Sequence, residues 1–300
     1  MSDDAVTVVR AGQSLSERQA FITAVTPFLT RDETANNQVL SIVDHLGRGR
    51  MAKAEVELLQ AVSTARAGGP LDTLSVLVRT APYNAVLPTG GEFRHREVLL
   101  ADLLTRGVAL PGFTGLANEA AQAAEWWAER TGKTPKVVTR LGIYRLTAVR
   151  DKLRAGGVMR LATPADRDMV IEWFAEFNTV TNYALRDPAE AWDSFNVGDF
   201  RQLYLWEVDG VPSSLAGLSG WTPNGRRIGP VYTPPSARKR GYAEALVAEL
   251  CLALLRTGVR FCFLYTDLDF PTSNHVYRDV GFEQVGEAAE IELVEAVGLS

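Results

Sequence analysis

The stretch IGPVYTPPSARKRGYAEALVAEL, residues Ile228 to Leu250, combines a strand, a turn and a helix. Its first residues favour a strand, which must stop pairing at Pro234 because proline has no N–H group to donate. Apolar side chains then recur at helical spacing, at Ala243, Leu246, Val247, Leu250 and Leu254. The sequence therefore predicts a helix that begins near Gly241, directly after a strand.

The turn before this helix carries three consecutive cations, Arg238, Lys239 and Arg240. The first turn of a helix leaves backbone N–H groups without intrahelical acceptors, and the helix dipole makes that end electropositive. Phosphate binds readily at such a place, and Gly241 and Ala243 leave room for its approach. Two interpretations stay open on this pattern alone: a phosphate-binding turn, or a cationic helix start that faces solvent. The pattern matches neither a P-loop nor a dinucleotide-binding fingerprint.

The composition is that of a globular protein of one or two domains. The 300 residues are 46% hydrophobic and 22% charged, with a net charge of −5. An acidic balance disfavours a nucleic-acid partner, since such proteins usually carry a basic stripe. The N-terminus lacks the pattern of a signal peptide, and no apolar run approaches the roughly 20 residues of a membrane span. We expect a cytoplasmic protein with no membrane partner.

Cysteine and histidine usage points to neither disulfides nor metal. Cys251 and Cys262 fall in a predicted buried helix face and a predicted buried strand, which favours packing over a disulfide framework. The histidines, His45, His95 and His275, do not have the spacing of metal ligands. We therefore expect no bound metal.

The order of predicted elements repeats along the chain. A linker is expected at RDKLRAGG, residues Arg150 to Gly157, and the pattern of strand, helices, strands and alternating helices restarts after it. This predicts a structural duplication with two mixed-sheet α/β domains, residues 1–154 and 155–300. The segment at residues 52–69 is compatible with either a helix or a strand followed by a loop.

Three local signals mark particular element ends. Thr163, Pro164 and Asp166 predict a capped helix start. Asp209-Gly210 predicts a hairpin turn between two strands. Ser16 is the expected cap of the first helix, near Glu17.

Downstream of the cationic turn, TSNHVYRDVGF places Asn274 and Tyr277 three residues apart on a predicted short helix, so that they share a face. Together with the turn, this resembles the GNAT acetyltransferase superfamily over about Gly157 to Glu295. The acyl-CoA motif of that superfamily, Arg/Gln-x-x-Gly-x-Gly/Ala, reads here Arg238-Lys239-Arg240-Gly241-Tyr242-Ala243. Its later signature, an Asn, an aromatic residue three positions on and then Gly-Phe, reads here Asn274, Tyr277, Gly281-Phe282.

The resemblance implies a fold of tandem GNAT-like domains, each a mixed, mostly antiparallel sheet flanked by helices. The N-terminal half is similar to a degenerate copy, as in bacterial two-domain members. GGEFRHREVLL, residues 90–100, stands where the acyl-CoA motif would be. The acyl donor is therefore expected in the second half, and the first half is expected to pack against it and shape the acceptor pocket.

The resemblance also implies roles for individual residues, with acetyl-CoA as the acyl-donor cosubstrate. The strand end, Val231, Tyr232 and Thr233, would pair with pantetheine through its backbone, and residues Arg238 to Ala243 would hold the pyrophosphate. Asn274 would help to hold the donor, and Tyr277 would lie near the thioester sulfur as a candidate general acid. A helix residue that packs on the sheet is the structural alternative for Tyr277.

These roles lead to the hypothesis of an N-acetyltransferase that acts on an amine of an unidentified small molecule or peptide. No base stands out, since Glu172, Glu176 and Asp267 are each compatible with a structural or surface role, and a chain of water molecules is the alternative. The alternative from another class is a non-catalytic acyl-CoA-binding sensor or scaffold. A third is transfer from another donor, such as a longer acyl-CoA or an aminoacyl-tRNA, the latter disfavoured by the acidic balance. The oligomeric state is left open, and a homodimer is compatible with the sequence.

Overall fold

The computed structural model describes residues 6–49, 51, 55–63, 72–150, 155–181, 187–195, 201–268 and 271–296, with the backbone alone for residues 271–274. Contacts divide the chain into two compact units, Met1–Arg140 with Glu287–Ser300, and Leu141–Gly286. The predicted boundary between residues 154 and 155 borders residues 151–154, which lie outside the described part.

The first unit is a six-stranded sheet with helices on both faces. Its elements are β1 (Val6–Arg10), α1 (Leu15–Leu29), α2 (Asn37–Gly47), β2 (Val56–Ser63), β3 (Asp72–Thr80), β4 (Ala85–Leu87), α3 (Phe93–Thr105), β5 (Gly112–Leu116), α4 (Ala117–Thr131) and the end of β12 (Glu283–Val294). The strand order is β1-β2-β3-β4-β5-β12. All paired neighbours are antiparallel except β4 and β5, which are parallel. One apolar cluster packs under α1 and α2 and another under α3 and α4.

The second unit repeats this plan. After β6 (Thr134–Leu146), which enters it from the first unit, come β7 (Val158–Leu161), α5 (Arg167–Val180), α6 (Pro188–Phe195), β8 (Gln202–Val208), β9 (Val211–Trp221), β10 (Gly225–Tyr232), α7 (Tyr242–Arg256), β11 (Phe261–Asp267) and α8 (Pro271–Val280). The strand order is β7-β8-β9-β10-β11-β6, with β10 and β11 parallel and the other pairs antiparallel. Both units are thus mixed, mostly antiparallel sheets flanked by helices, as predicted.

The last strand of each unit comes from the other half of the chain. β6 closes the sheet of the second unit, with Tyr144 opposite Leu264 on β11. β12 closes the sheet of the first unit, with Ile291 opposite Phe113 on β5. Because Ile291 is buried in the core under α3 and α4, residues 287–300 group with the first unit. The compact units therefore differ from the predicted halves, 1–154 and 155–300.

The local signals have mixed outcomes. Thr163 and Asp166 form the predicted capping box, which leads through a short 3-10 turn into α5. The Asp209-Gly210 hairpin is confirmed, with φ angles of 50° and 77°. The predicted cap at Ser16 is wrong, because Ser14 stands three residues before Glu17 and the two form a capping box.

Two undecided or composition-based predictions can also be compared with the structure. Within residues 52–69, residues 56–63 form β2, and residues 52–54 and 64–69 lie outside the described part. Cys251 on α7 and Cys262 on β11 are free and buried, in agreement with a packing role. In the part of the chain that the structure describes, no helix has the length and apolarity needed to cross a membrane.

Candidate active site

A gap opens in the sheet of the second unit between β10 and β11. The two strands pair only where residues 225–227 lie opposite residues 261–263. Beyond that point β10 stays paired with β9 as far as Tyr232, and β11 stays paired with β6 as far as Asp267. Each strand thus keeps its outer neighbour while the inner edges separate toward their C-terminal ends.

A bulge in β10 accompanies the separation. The register between β10 and β9 shifts on both sides of Ile228, and Gly229 has a φ of 136°. Bulges bend a strand and increase its twist. Gly217 on β9 makes room for this one, because a Cβ atom there would lie 2.7 Å from the carbonyl oxygen of Gly229. We infer that the bulge turns the end of β10 away from β11.

The cationic turn follows at the end of β10. A short 3-10 turn spans Pro235–Ala237, and α7 then begins at Tyr242 with Gly241 as its N-cap. Lys239 and Gly241 both adopt left-handed backbone conformations, with φ angles of 61° and 76°. A left-handed non-glycine residue is uncommon, and such residues cluster at ligand-binding loops. The predicted start of the helix near Gly241 is confirmed.

The turn offers donors and charge to a ligand. The first helical bond of α7 runs from the Ala245 N–H to the Gly241 carbonyl, and Gly241 provides no side-chain cap. Among the described residues, nothing accepts from the N–H groups of residues 240–243. The side chains of residues 238–240 are exposed. A Cβ atom at Gly241 would approach nothing closer than Ala155, 3.8 Å away. These features fit a diphosphate.

The corresponding place in the first unit is closed. β4 pairs with β5 along its whole length, from Ala85 opposite Phe113 to Leu87 opposite Gly115. The turn that follows packs tightly, since a Cβ atom at Gly91 would lie 2.0 Å from the carbonyl oxygen of Leu74. The described residues of the first unit therefore form neither the gap nor the open turn of the second.

The backbone at the end of β10 is less free than the sequence predicts. The carbonyl of Tyr232 accepts from the Ser214 hydroxyl at 3.0 Å, and the carbonyl of Thr233 accepts from Arg238 Nε at 3.0 Å. Ser214 reaches the Tyr232 carbonyl because β9 places it beside this strand end. The N–H of Thr233, by contrast, has no acceptor within the described ranges.

Tyr277, on α8, lies in the core that this helix forms with α7 and the sheet. Its side chain is 9% exposed, and its ring meets that of Phe282 edge-on with centroids 6.0 Å apart. Burial raises the pKa of Tyr277 to about 12, so the phenol stays protonated at neutral pH. Within the described residues no group bonds to this hydroxyl. Asn274 lies one turn earlier on α8, and its side chain is outside the described part.

Sequence reasoning did not single out the contact between Tyr232 and Glu176. The Tyr232 hydroxyl donates to Glu176 Oε2 on α5, and the Tyr232 ring packs on Trp173 with centroids 6.1 Å apart. Burial, with a smaller contribution from Glu176, raises the pKa of Tyr232 to about 12. One signal was available, because helical spacing places Glu176 beside Trp173 and Phe177, on the face of α5 that meets the sheet.

The other two candidate carboxylates have different surroundings. Glu172 is exposed on α5, one turn before Glu176, and Asp267 is buried at the end of β11. His275 pairs with Asp279 at 3.3 Å on α8. Across the described residues, no three His, Cys, Asp or Glu side chains form a group suited to a metal, and the expected absence of metal stays a prediction.

Residues 167–282 match the model of the acetyltransferase (GNAT) family. This part of the chain is a GNAT domain. It includes the gap between β10 and β11, the open turn and Tyr277. No curated protein sequence matches the chain.

Solved structures match the chain almost end to end. They include a tandem GNAT protein from the clavulanic acid biosynthesis pathway, at 14% identity and a TM-score of 0.58, which covers 99% of this chain and 100% of that one. A GCN5-related N-acetyltransferase from Sphaerobacter thermophilus matches at 15% identity and a TM-score of 0.57, with 96% and 95% covered. A GNAT-family acetyltransferase from Colwellia psychrerythraea matches at 10% identity and a TM-score of 0.55, with 96% and 98% covered. At these identities the likeness shows the fold alone, which is one of two α/β units. The second unit contains the residues that match the GNAT family model.

Proposed function

We propose that the protein is an acetyl-CoA-dependent N-acetyltransferase that transfers an acetyl group to a primary amine of a small molecule or peptide. The amine attacks directly while the donor and the acceptor are bound together. The observation that carries the proposal is the gap between β10 and β11, which ends at the open turn of residues 238–243 inside the GNAT domain.

The acyl donor would bind along β10 and across the turn. Residues Arg238 to Ala243 would supply three cations and a helix N-terminus to the pyrophosphate, together with the unbonded N–H groups of residues 240–243. Val231 to Thr233 would pair with pantetheine along the edge of β10 that β11 leaves uncovered. The first unit offers no such edge in its described residues, which supports a single donor site in the second.

The chemistry needs positioning, charge stabilisation and a proton for the leaving group. Binding both substrates side by side removes much of the entropic barrier. Negative charge develops on the thioester oxygen, and the N–H of Thr233 is a donor suited to stabilise it. The departing thiolate takes a proton from Tyr277, which is protonated at working pH because burial raises its pKa to about 12.

The decisive test is the release of CoA thiol from acetyl-CoA in the presence of a panel of primary amines, with the acetylated product identified by mass spectrometry. The proposal expects release that depends on the amine. Binding of acetyl-CoA without release across the panel would replace it with the alternative of an acyl-CoA sensor or scaffold. Absence of binding would contradict both functions.

A further inference from the structure

We propose that Glu176 is the base that takes a proton from the acceptor, and that the acceptor is an amine protonated at neutral pH. This inference rests on the proposed function and adds to it the identity of the base and the charge of the substrate. The observation behind it is the hydrogen bond from the Tyr232 hydroxyl to the Glu176 carboxylate, at the open end of the gap.

The faces of the sheet place Glu176 opposite the helix that follows the phosphate turn. Ile228 and Val231 of β10 pack with α7 and α8, whereas Tyr232 packs with α5 and α6. Tyr232 thus carries the contact from the strand end to the face of the sheet that α5 covers. An acceptor that approaches the gap from this face meets Glu176 before it reaches the backbone of β10.

The carboxylate is held in place and still has a free oxygen. Oε2 accepts from Tyr232, while Oε1 has no donor among the described residues. Glu176 is half-buried, so it is held by the protein and accessible to a substrate. Tyr232 itself is unsuited as the base, because its pKa is raised to about 12 and it stays protonated.

Charged groups also lie near the strand ends of the gap and on α6. The Arg238 guanidinium lies 5.9 Å from the centre of the Tyr232 ring, on the β10 side. Asp267 ends β11, the other strand of the gap. Glu190 and Asp193 on α6 are exposed. The Glu176 carboxylate is the group that would pair with a positively charged acceptor.

The proton balance of the reaction is complete. The ammonium gives one proton to Glu176, and the resulting amine forms the C–N bond as the C–S bond breaks. Tyr277 gives its proton to the thiolate, and the second proton of the nitrogen returns to Tyr277 through solvent. Glu176 releases its proton to solvent, so the products are the amide, CoA thiol and one H⁺.

The test compares Glu176→Gln with the matched control Glu172→Gln, one turn earlier on the same helix. Glutamine still accepts from Tyr232, so the first variant should fold. We expect kcat/KM of E176Q to fall about 100-fold at pH 7. The loss should shrink at higher pH. Without the carboxylate, E176Q reacts only with amine that is already neutral in solution, and the neutral fraction rises about tenfold per pH unit below the amine pKa. E172Q should stay within about twofold of wild type at each pH, since its side chain is exposed and outside the proposed site.

A binding measurement provides a readout apart from turnover. In the presence of CoA at pH 7, calorimetry should show the amine binding about tenfold more weakly to E176Q than to E172Q, because the ammonium loses its charged partner. An E176Q enzyme within about threefold of wild type at pH 7, or one with an equal loss at every pH, would overturn the inference. Failure of the proposed function is a different result, since the wild type would then release no CoA with any amine.

Discussion

Arg238 donates a hydrogen bond from Nε to the carbonyl oxygen of Thr233 over 3.0 Å. This bond connects the first cation of the phosphate turn to the end of β10, five residues earlier. It fixes the position of the turn relative to the strand edge that would bind pantetheine. The turn and the strand edge of the proposed donor site are therefore joined by a hydrogen bond.

Replacing Arg238 by alanine should weaken acetyl-CoA binding, by about five- to tenfold at low salt, because a charge near the pyrophosphate is lost. The difference from wild type should narrow as salt is added, since salt screens exposed charges. Arg256→Ala is the matched control, because Arg256 is exposed at the opposite end of α7. Titration of acetyl-CoA at two salt concentrations measures the loss of affinity and its dependence on salt. Equal affinities for the two variants would contradict the assignment of Arg238.

Tyr277→Phe should lower kcat about 100-fold while acetyl-CoA affinity stays within about twofold, because only the proton donor is removed. Phenylalanine keeps the ring that packs on Phe282. Steady-state kinetics at saturating donor and acceptor, with a parallel binding titration, separate the two effects. Full turnover in this variant would leave Tyr277 with the structural role of a packed helix residue.

The phenol of Tyr277 also predicts how stability changes in alkali. Its pKa is raised from 10.0 to about 12 in the folded protein, so folding favours the protonated form. This contribution is fully present below pH 10 and is lost as the pH rises toward 12. The free energy of unfolding should therefore fall more steeply for wild type than for Tyr277→Phe over this window, by about 2–3 kcal/mol in total. Parallel loss in both proteins, measured by urea unfolding, would argue against a buried phenol.

Asp166 should contribute stability that depends on pH in the opposite sense. Its carboxylate bonds to Arg160 at 2.8 Å and to the Thr163 N–H at 2.7 Å, and these bonds hold its pKa well below its usual value. The contribution is present above the ordinary aspartate pKa and is lost as the pH falls below it. Asp166→Asn should cost about 1–3 kcal/mol at pH 7 and much less near pH 2.

Asp168→Asn is the control for Asp166→Asn, because the Asp168 side chain is 98% exposed. Urea unfolding of the two variants at pH 7 should differ, because only Asp166 anchors the start of α5, the helix that carries Glu176. Indistinguishable unfolding free energies would show that the network around Arg160 adds nothing to folding.

The features that could be predicted from the sequence are those fixed by residues adjacent to one another along the chain. The turn at residues 238–243 combines a preceding proline, a run of cations, a glycine and a helical stripe within a few residues. The Asp209-Gly210 hairpin and the capping box at Thr163 are likewise local. Their residue types restrict the backbone directly, so that the prediction needed no knowledge of the tertiary structure.

What sequence reasoning missed depends on pairing between distant residues. The exchange of β6 and β12 between the units depends on strand pairs such as Phe113 with Ile291. The residues of one strand do not determine which sheet that strand joins. The gap depends on β11 finding its outer neighbour in β6. The hydrogen bond between Tyr232 and Glu176 joins residues 56 positions apart. Each depends on strand order, which local patterns leave open.

The proposed donor site places the diphosphate of acetyl-CoA at the turn before α7, and two glycines allow this to be tested directly. Gly241 and Gly258 lie at opposite ends of α7, both left-handed, with φ angles of 76° and 93°. A Cβ atom would approach nothing closer than 3.8 Å at Gly241 and nothing within 4 Å at Gly258. Valine should therefore impose similar backbone strain, of order 1–2 kcal/mol, at either site.

The measurement is a calorimetric titration of acetyl-CoA into Gly241→Val and Gly258→Val, each checked for folding by its unfolding midpoint. Gly241→Val should lose at least about tenfold in affinity, because the side chain occupies the space where the phosphates approach the backbone. Gly258→Val should bind as the wild type does. Wild-type affinity in Gly241→Val would contradict the binding of the diphosphate at this turn.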